Sequence, residues 1–118
     1  MNEVKIKVEE KQGKEGVVYR NINPKKALGY DQYIVIEKIY KAGNPGTYSK
    51  NGKTWTSYNT RVKYDGGEVS FFLDEKAHEI FESFGEPGTK LKLAKVEESF
   101  VNAKGEHITY DKIVFEQL

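Results

Sequence analysis

Residues 55–64 read Trp55-Thr56-Ser57-Tyr58-Asn59-Thr60-Arg61-Val62-Lys63-Tyr64 and are closed by Asp65-Gly66-Gly67. β-Branched and aromatic residues dominate the run, which predicts a long strand with side chains alternating between two faces. Thr56, Tyr58, Thr60, Val62 and Tyr64 suit the interior or rim of a sheet domain. The other set, Trp55, Ser57, Asn59, Arg61 and Lys63, lines up one flat ring with amide and cationic groups on the outside.

Working outward, residues 33–41 have the composition of a preceding strand, stopped by Ala42-Gly43-Asn44-Pro45-Gly46. Residues 42–54 then read as a connection with two turns, the second at Asn51-Gly52, a pair that tolerates positive φ. On the other side, residues 69–73 form a third strand. Asp74 can cap a helix over residues 74–84, with Ala77, Ile80, Phe81 and Phe84 as its apolar stripe and Gly85 and Pro87-Gly88 as its stop. Leu91, Leu93 and Val96 restart the strand pattern, with an irregularity expected near Ala94-Lys95. Residues 102–106 connect it to a last strand over residues 108–115.

The order from residue 33 is strand, strand, strand, helix, strand, strand. It predicts a mainly β fold, a five-stranded barrel of the oligonucleotide-binding type with one short helix between strands three and four plugging an open end. A β-sandwich, or a half-open sheet with a docked helix, is the competing architecture. Residues 1–30 form an N-terminal β extension, read either as a hairpin or as a lead-in strand: Val4, Ile6 and Val8 alternate with lysines, and Val17-Val18-Tyr19 follows two glycines. The whole chain, residues 1–118, is expected to be one domain with a barrel core over residues 33–118.

Net charge is +1 overall, but it is unevenly distributed: residues 1–32 carry +2, residues 33–65 carry +4 and residues 66–118 carry −5. A basic middle third can attract a polyanion if it lies on one face, because local potential steers an approaching charge more than the total does. No cysteine is present, which excludes thiolate nucleophiles and cysteine zinc sites. The start lacks an apolar stretch resembling a signal peptide or span, so a cytoplasmic protein with no membrane partner is expected.

Single-stranded nucleic acid asks two things of a protein: flat rings on which bases stack, and cations spaced along the backbone. Trp55 supplies the first, with Phe72 beside it because Phe71-Phe72 cannot both point inward from one strand. Tyr48 and Tyr40 are further stacking candidates. Arg61 and Lys63 are the expected phosphate contacts, followed by Lys53 and Lys50 in the connecting loop, and Asn59 is a candidate for a base edge. Two histidines without ligand spacing, and no nucleophile elbow or phosphate loop, predict no catalytic residues, no metal and no cofactor. The alternative is a protein–protein interaction module using the same aromatic surface, for which Trp, Tyr and Arg are equally favoured.

These residues together resemble small single-stranded DNA-binding proteins with an oligonucleotide-binding fold, of archaeal, phage or bacterial kind. The resemblance spans residues 33–118 and rests on the first strand, the Lys50-Asn51-Gly52-Lys53 hairpin leading into Trp55, the third strand, the helix and the two closing strands. It implies a non-catalytic role in DNA replication or a related process, with little sequence specificity. Trp55 and Phe72 would stack bases, and Arg61 and Lys63 would hold phosphates. Single-stranded RNA remains an alternative ligand, since a stacking surface does not reject a 2′-hydroxyl. An exposed strand edge or the N-terminal extension offers a route to a homodimer or higher oligomer.

Overall fold

A computed structural model describes all of residues 1–118. Its strands are β1 (Asn2–Glu3), β2 (Glu9–Gln12), β3 (Val18–Asn21), β4 (Gln32–Lys38), β5 (Asn44–Lys50), β6 (Lys53–Tyr64), β7 (Gly67–Leu73), β8 (Lys90–Val101) and β9 (His107–Gln117). Two α-helices, α1 (Pro24–Ala27) and α2 (Glu75–Ser83), and a 3-10 turn at Lys14–Gly16 complete it. All nine strands join one mixed sheet in the order β2-β3-β7-β6-β4-β8-β9, with β1 added parallel to β4 and β5 antiparallel to β6.

The sheet is open, and the expected closed five-stranded barrel is absent. Closure would require the outer edge of β7 to pair with β9. That edge is taken instead by the N-terminal segment: Asn21 of β3 lies opposite Ser70, and the Ile22 N–H donates to the Ser70 carbonyl at 3.0 Å. Both helices pack against β9, which pairs only with β8. The half-open sheet with a docked helix is therefore the architecture adopted. The resemblance to oligonucleotide-binding single-stranded DNA-binding proteins loses its structural basis, and so does any DNA-binding or replication role inferred from a barrel.

The N-terminal extension is knitted into the domain. Ile22 and Leu28 belong to the same buried core as Ile34, Ile36, Val62, Val69, Phe71, Leu73, Phe81, Leu91 and Leu93, with Val4, Ile6 and Val8 packed against it. Two tight hairpins shape the centre of the sheet. Asn51 and Gly52 join β5 to β6 with φ of 53° and 76°, and Asp65 and Gly66 join β6 to β7 with φ of 49° and 80°. These are the mirror-image turns whose twist matches that of the flanking strands.

β5 is a strand where the sequence suggested a loop. Pro45 is tolerated because β5 pairs only with β6, leaving a free side that needs no N–H from proline. The register of β8 against β9 runs unbroken from Leu91 opposite Gln117 to Val101 opposite His107, so no residue is inserted, and the irregularity near Ala94-Lys95 is one of alternation: Leu93, Ala94 and Lys95 are buried in succession.

Two lysines on the core face hold the helices. Lys38 is 1% exposed, and its ammonium donates to the carbonyls of Phe81 at 2.7 Å and Gly85 at 2.8 Å. It thereby adds a second donor to the Phe81 carbonyl, which also accepts the Phe84 N–H at 3.3 Å, and satisfies the Gly85 carbonyl just past the end of α2. Burial pushes its pKa down, against the nearby carboxylates of Glu82 and Glu86. Lys95 donates to the Lys25 carbonyl of α1 at 2.9 Å. At the other end of α2, the Asp74 carboxylate accepts the Ala77 N–H at 2.8 Å, the cap its sequence position predicts. The buried side of this helix is Ala77, His78 and Phe81, whereas Ile80 is exposed.

Candidate functional site

β6 follows the alternation that its sequence predicts over its second half. Thr60, Val62 and Tyr64 are buried, and Arg61 and Lys63 between them are exposed. Towards the start of the strand Thr56 is exposed as well, because residues 53–57 pair with β5 on one side and with no strand on the other: β7 begins its pairing at Tyr58 opposite Leu73.

Three rings meet there. Tyr48 lies directly opposite Trp55 in the β5–β6 ladder, their centroids 6.3 Å apart and planes inclined by 25°. Phe72 reaches the same place from β7 and meets Tyr48 edge-on at 6.0 Å and 83°. Aromatic pairs prefer both arrangements to a face-to-face sandwich. Trp55 is 46% exposed and Phe72 58%. With Ser57 the three rings border a shallow cleft of about 200 Å³. Gly46, one alternate position from Tyr48, leaves room for its ring, since a methyl group there would lie 3.1 Å from it. Tyr40 is exposed in the bend after β4 and makes no ring pair with this cluster.

The cations divide into two kinds. Arg61 donates to Glu68 at 3.0 Å, and Lys63 lies 3.8 Å from Glu37, so both face carboxylates on neighbouring strands. Lys50 and Lys53 have no such partner. They sit opposite each other across the Asn51-Gly52 turn, in the side-chain alternation of Tyr48 and Trp55. Like charges directly opposite in a ladder are unfavourable, and an anion between them relieves the repulsion. Residues 38–64 contain no Asp or Glu at all. Asn59 lies opposite both Asn44 and Phe72, and its side-chain oxygen is buried without a hydrogen-bond partner.

Sequence reasoning missed the role of His78. Its ring is stacked on Tyr58 and its Nε2 accepts the Gly43 N–H at 2.8 Å, fastening the segment that leads into β5. Burial pushes its pKa down, opposed by Glu82 and Glu79 and reinforced by Lys38. The neutral tautomer with a free Nε2 lone pair is the form this bond requires. A single histidine on a helix carries no pattern that would reveal such a partner.

A second cluster lies beside α1. The Tyr30 hydroxyl donates to Asp111 at 2.7 Å and is 3.2 Å from Glu97, which raises its pKa to about 12, chiefly through the Asp111 hydrogen bond. Lys95 stands 3.8 Å from Asp111 and over the Tyr30 ring at 4.8 Å. These groups satisfy one another and tie α1 to the β8–β9 hairpin. No three histidine or carboxylate side chains converge in a group able to hold a metal ion. No helix is long and apolar enough to cross a membrane.

Compared with known proteins, the chain matches no family model, no curated protein and no solved structure.

Proposed function

We propose that this protein binds single-stranded nucleic acid without catalysis, on the surface formed by Tyr48, Trp55 and Phe72. The observation that carries this reading is the placement of three half-exposed rings around an open cleft at the end of a carboxylate-free hairpin. The two lysines of that hairpin that lack ion-pair partners stand beside the rings. Each base stacked on such a ring contributes about 1–3 kcal/mol, and the stacking is tolerant of sequence. Lys50 and Lys53 would take the phosphates; Arg61 and Lys63, already neutralised by Glu68 and Glu37, would contribute less. Asn59 offers an acceptor to a base edge only after a shift that uncovers its oxygen. This reading owes nothing to a barrel, and it suits a cytoplasmic protein.

A second reading, a protein-binding module, draws on the end of the β8–β9 hairpin, where Phe100, Ile108 and Tyr110 are exposed and Phe100 packs edge-on against Tyr110. Titration of Trp55 fluorescence, from the chain's only tryptophan, with single-stranded and duplex oligonucleotides of equal length at two salt concentrations separates the readings. Nucleic-acid binding predicts quenching by the single strand that weakens steeply with salt, because phosphate counterions are released. No binding at low salt, or equal affinity for duplex, would remove the leading reading.

A further inference from the structure

The ring cluster has two sides. Trp55, Ser57 and Phe72 border the small cleft with Tyr48, and the same three residues also form one wall of a larger groove of about 470 Å³. The groove opens where β6 lacks a neighbour: β7 ends at Leu73, opposite Tyr58, so the backbone edge of residues 53–57 on that side is unpaired. Its opposite wall is the N-terminal segment, from Lys11 on β2 through Asn21 to Lys25 on α1.

That wall is held in place. Ile22 donates its N–H to Ser70, Asn21 pairs with the same residue, and the Lys25 carbonyl accepts the Lys95 ammonium. The Lys11 and Lys25 side chains are exposed and have no ion-pair partner, in contrast to Arg20 on β3, which faces Glu10. Two carboxylates also line the groove. That of Asp74 is engaged in capping α2, and that of Glu9 is exposed.

On the reading of the ring cluster as a single-strand site, we infer that the site is longer than the cluster. A single strand crosses the ridge of Trp55 and Phe72 and continues into the groove, where its phosphates meet Lys11 and Lys25 and its polar edges meet the open backbone of β6. The N-terminal segment is then one wall of the binding site as well as part of the sheet. Its capture of the outer edge of β7, which leaves the sheet open, is also what builds this wall.

Oligonucleotide length tests this, since a trimer of thymidine can occupy the ridge alone while a dodecamer also fills the groove. The probes are those two oligomers, titrated against the whole chain, the Lys11→Glu/Lys25→Glu double variant and Trp55→Ala. The inference expects the double variant to lower the ratio of dodecamer to trimer affinity by about tenfold or more, the scale of two lost phosphate contacts replaced by repulsion, and Trp55→Ala to weaken both oligomers. The milder Lys11→Gln/Lys25→Gln pair should shift the ratio in the same direction and serves if the charge reversal disturbs folding, as checked by circular dichroism. An unchanged ratio, with Trp55→Ala still weakening binding, overturns the extended path and leaves the ring-cluster reading standing. Equal weakening of both oligomers overturns it too, because that is the signature of a diffuse field. Binding of neither oligomer by the unmodified chain ends both.

Discussion

The imidazole of His78 lies flat on the ring of Tyr58, their centroids 3.9 Å apart and their planes within 5°. The same imidazole accepts the Gly43 N–H, so a helix, a central strand and the approach to the β5–β6 hairpin are joined through one uncharged ring. Its folded-state pKa is depressed below the ordinary 6.5, principally by burial. The unfolded chain therefore binds more protons than the folded one between the two values, and the stability this histidine contributes is lost as pH falls from 6.5 through the folded pKa.

Urea unfolding at pH 7.5 and pH 5.5 should show a lower midpoint at the acid value. His78→Gln, which keeps a hydrogen-bond acceptor and cannot titrate there, should show a smaller difference. An identical pH dependence in the two proteins would mean that other groups set it.

Lys38→Met is expected to destabilise the fold by about 1–3 kcal/mol, since the Gly85 carbonyl loses its side-chain donor and the Phe81 carbonyl keeps only the longer bond from the Phe84 N–H at 3.3 Å. Relief from holding a desolvated ammonium acts in the opposite direction and keeps the loss from being larger. Lys38→Ala, which also leaves a cavity, should cost more. Thermal or denaturant unfolding gives both values; a methionine variant as stable as the parent would show that the ammonium is no net help to α2.

Trp55→Ala should reduce affinity for a single-stranded oligonucleotide by about 1–3 kcal/mol, one lost stack. Stability should move little, because the indole is half exposed. A large fall in unfolding midpoint would instead identify the ring as structural.

Replacing Lys50 and Lys53 together by glutamine should flatten the dependence of log affinity on log salt by about 1.4, from about 0.7 for each phosphate contact on a single strand. Arg61→Gln should flatten it by less, since its guanidinium is held by Glu68. If Arg61→Gln has the greater effect on the slope, the hairpin lysines are ordinary solvated charges.

Gly46→Val offers a separate probe of Tyr48. Side-chain atoms at position 46 would push against the tyrosine ring, so oligonucleotide affinity should fall several-fold. A β-branched residue suits the strand itself, so stability should hold or rise slightly. Unchanged affinity would place Tyr48 outside the ligand's path.

Local chemistry settled much of this molecule from sequence alone. The alternation of Thr60, Val62 and Tyr64 with Arg61 and Lys63, the turns at Asn51-Gly52 and Asp65-Gly66, and the Asp74 cap are all as the residues predict, because each depends on groups only a few positions apart. Trp55, Phe72 and Tyr48 could be named as exposed rings for the same reason. Whether they would touch was another matter, since Tyr48 and Phe72 stand on different strands whose register had to form first. β5 went unseen because Asn44-Pro45-Gly46 carries turn chemistry, and only the edge position of the strand makes that chemistry acceptable.

What the tertiary structure alone decided was competition. The edge of β7 could have met β9 or β3, and periodicity is blind to which strand wins a set of hydrogen bonds from residues far away in the chain. β3 took it, opening the sheet and raising the wall of a groove. The same long-range placement drew Lys38, Lys95 and His78 into the interior and set Arg61 and Lys63 against carboxylates. Residue type reports how strongly a side chain can interact; which partner it finds is fixed only when distant segments are brought together.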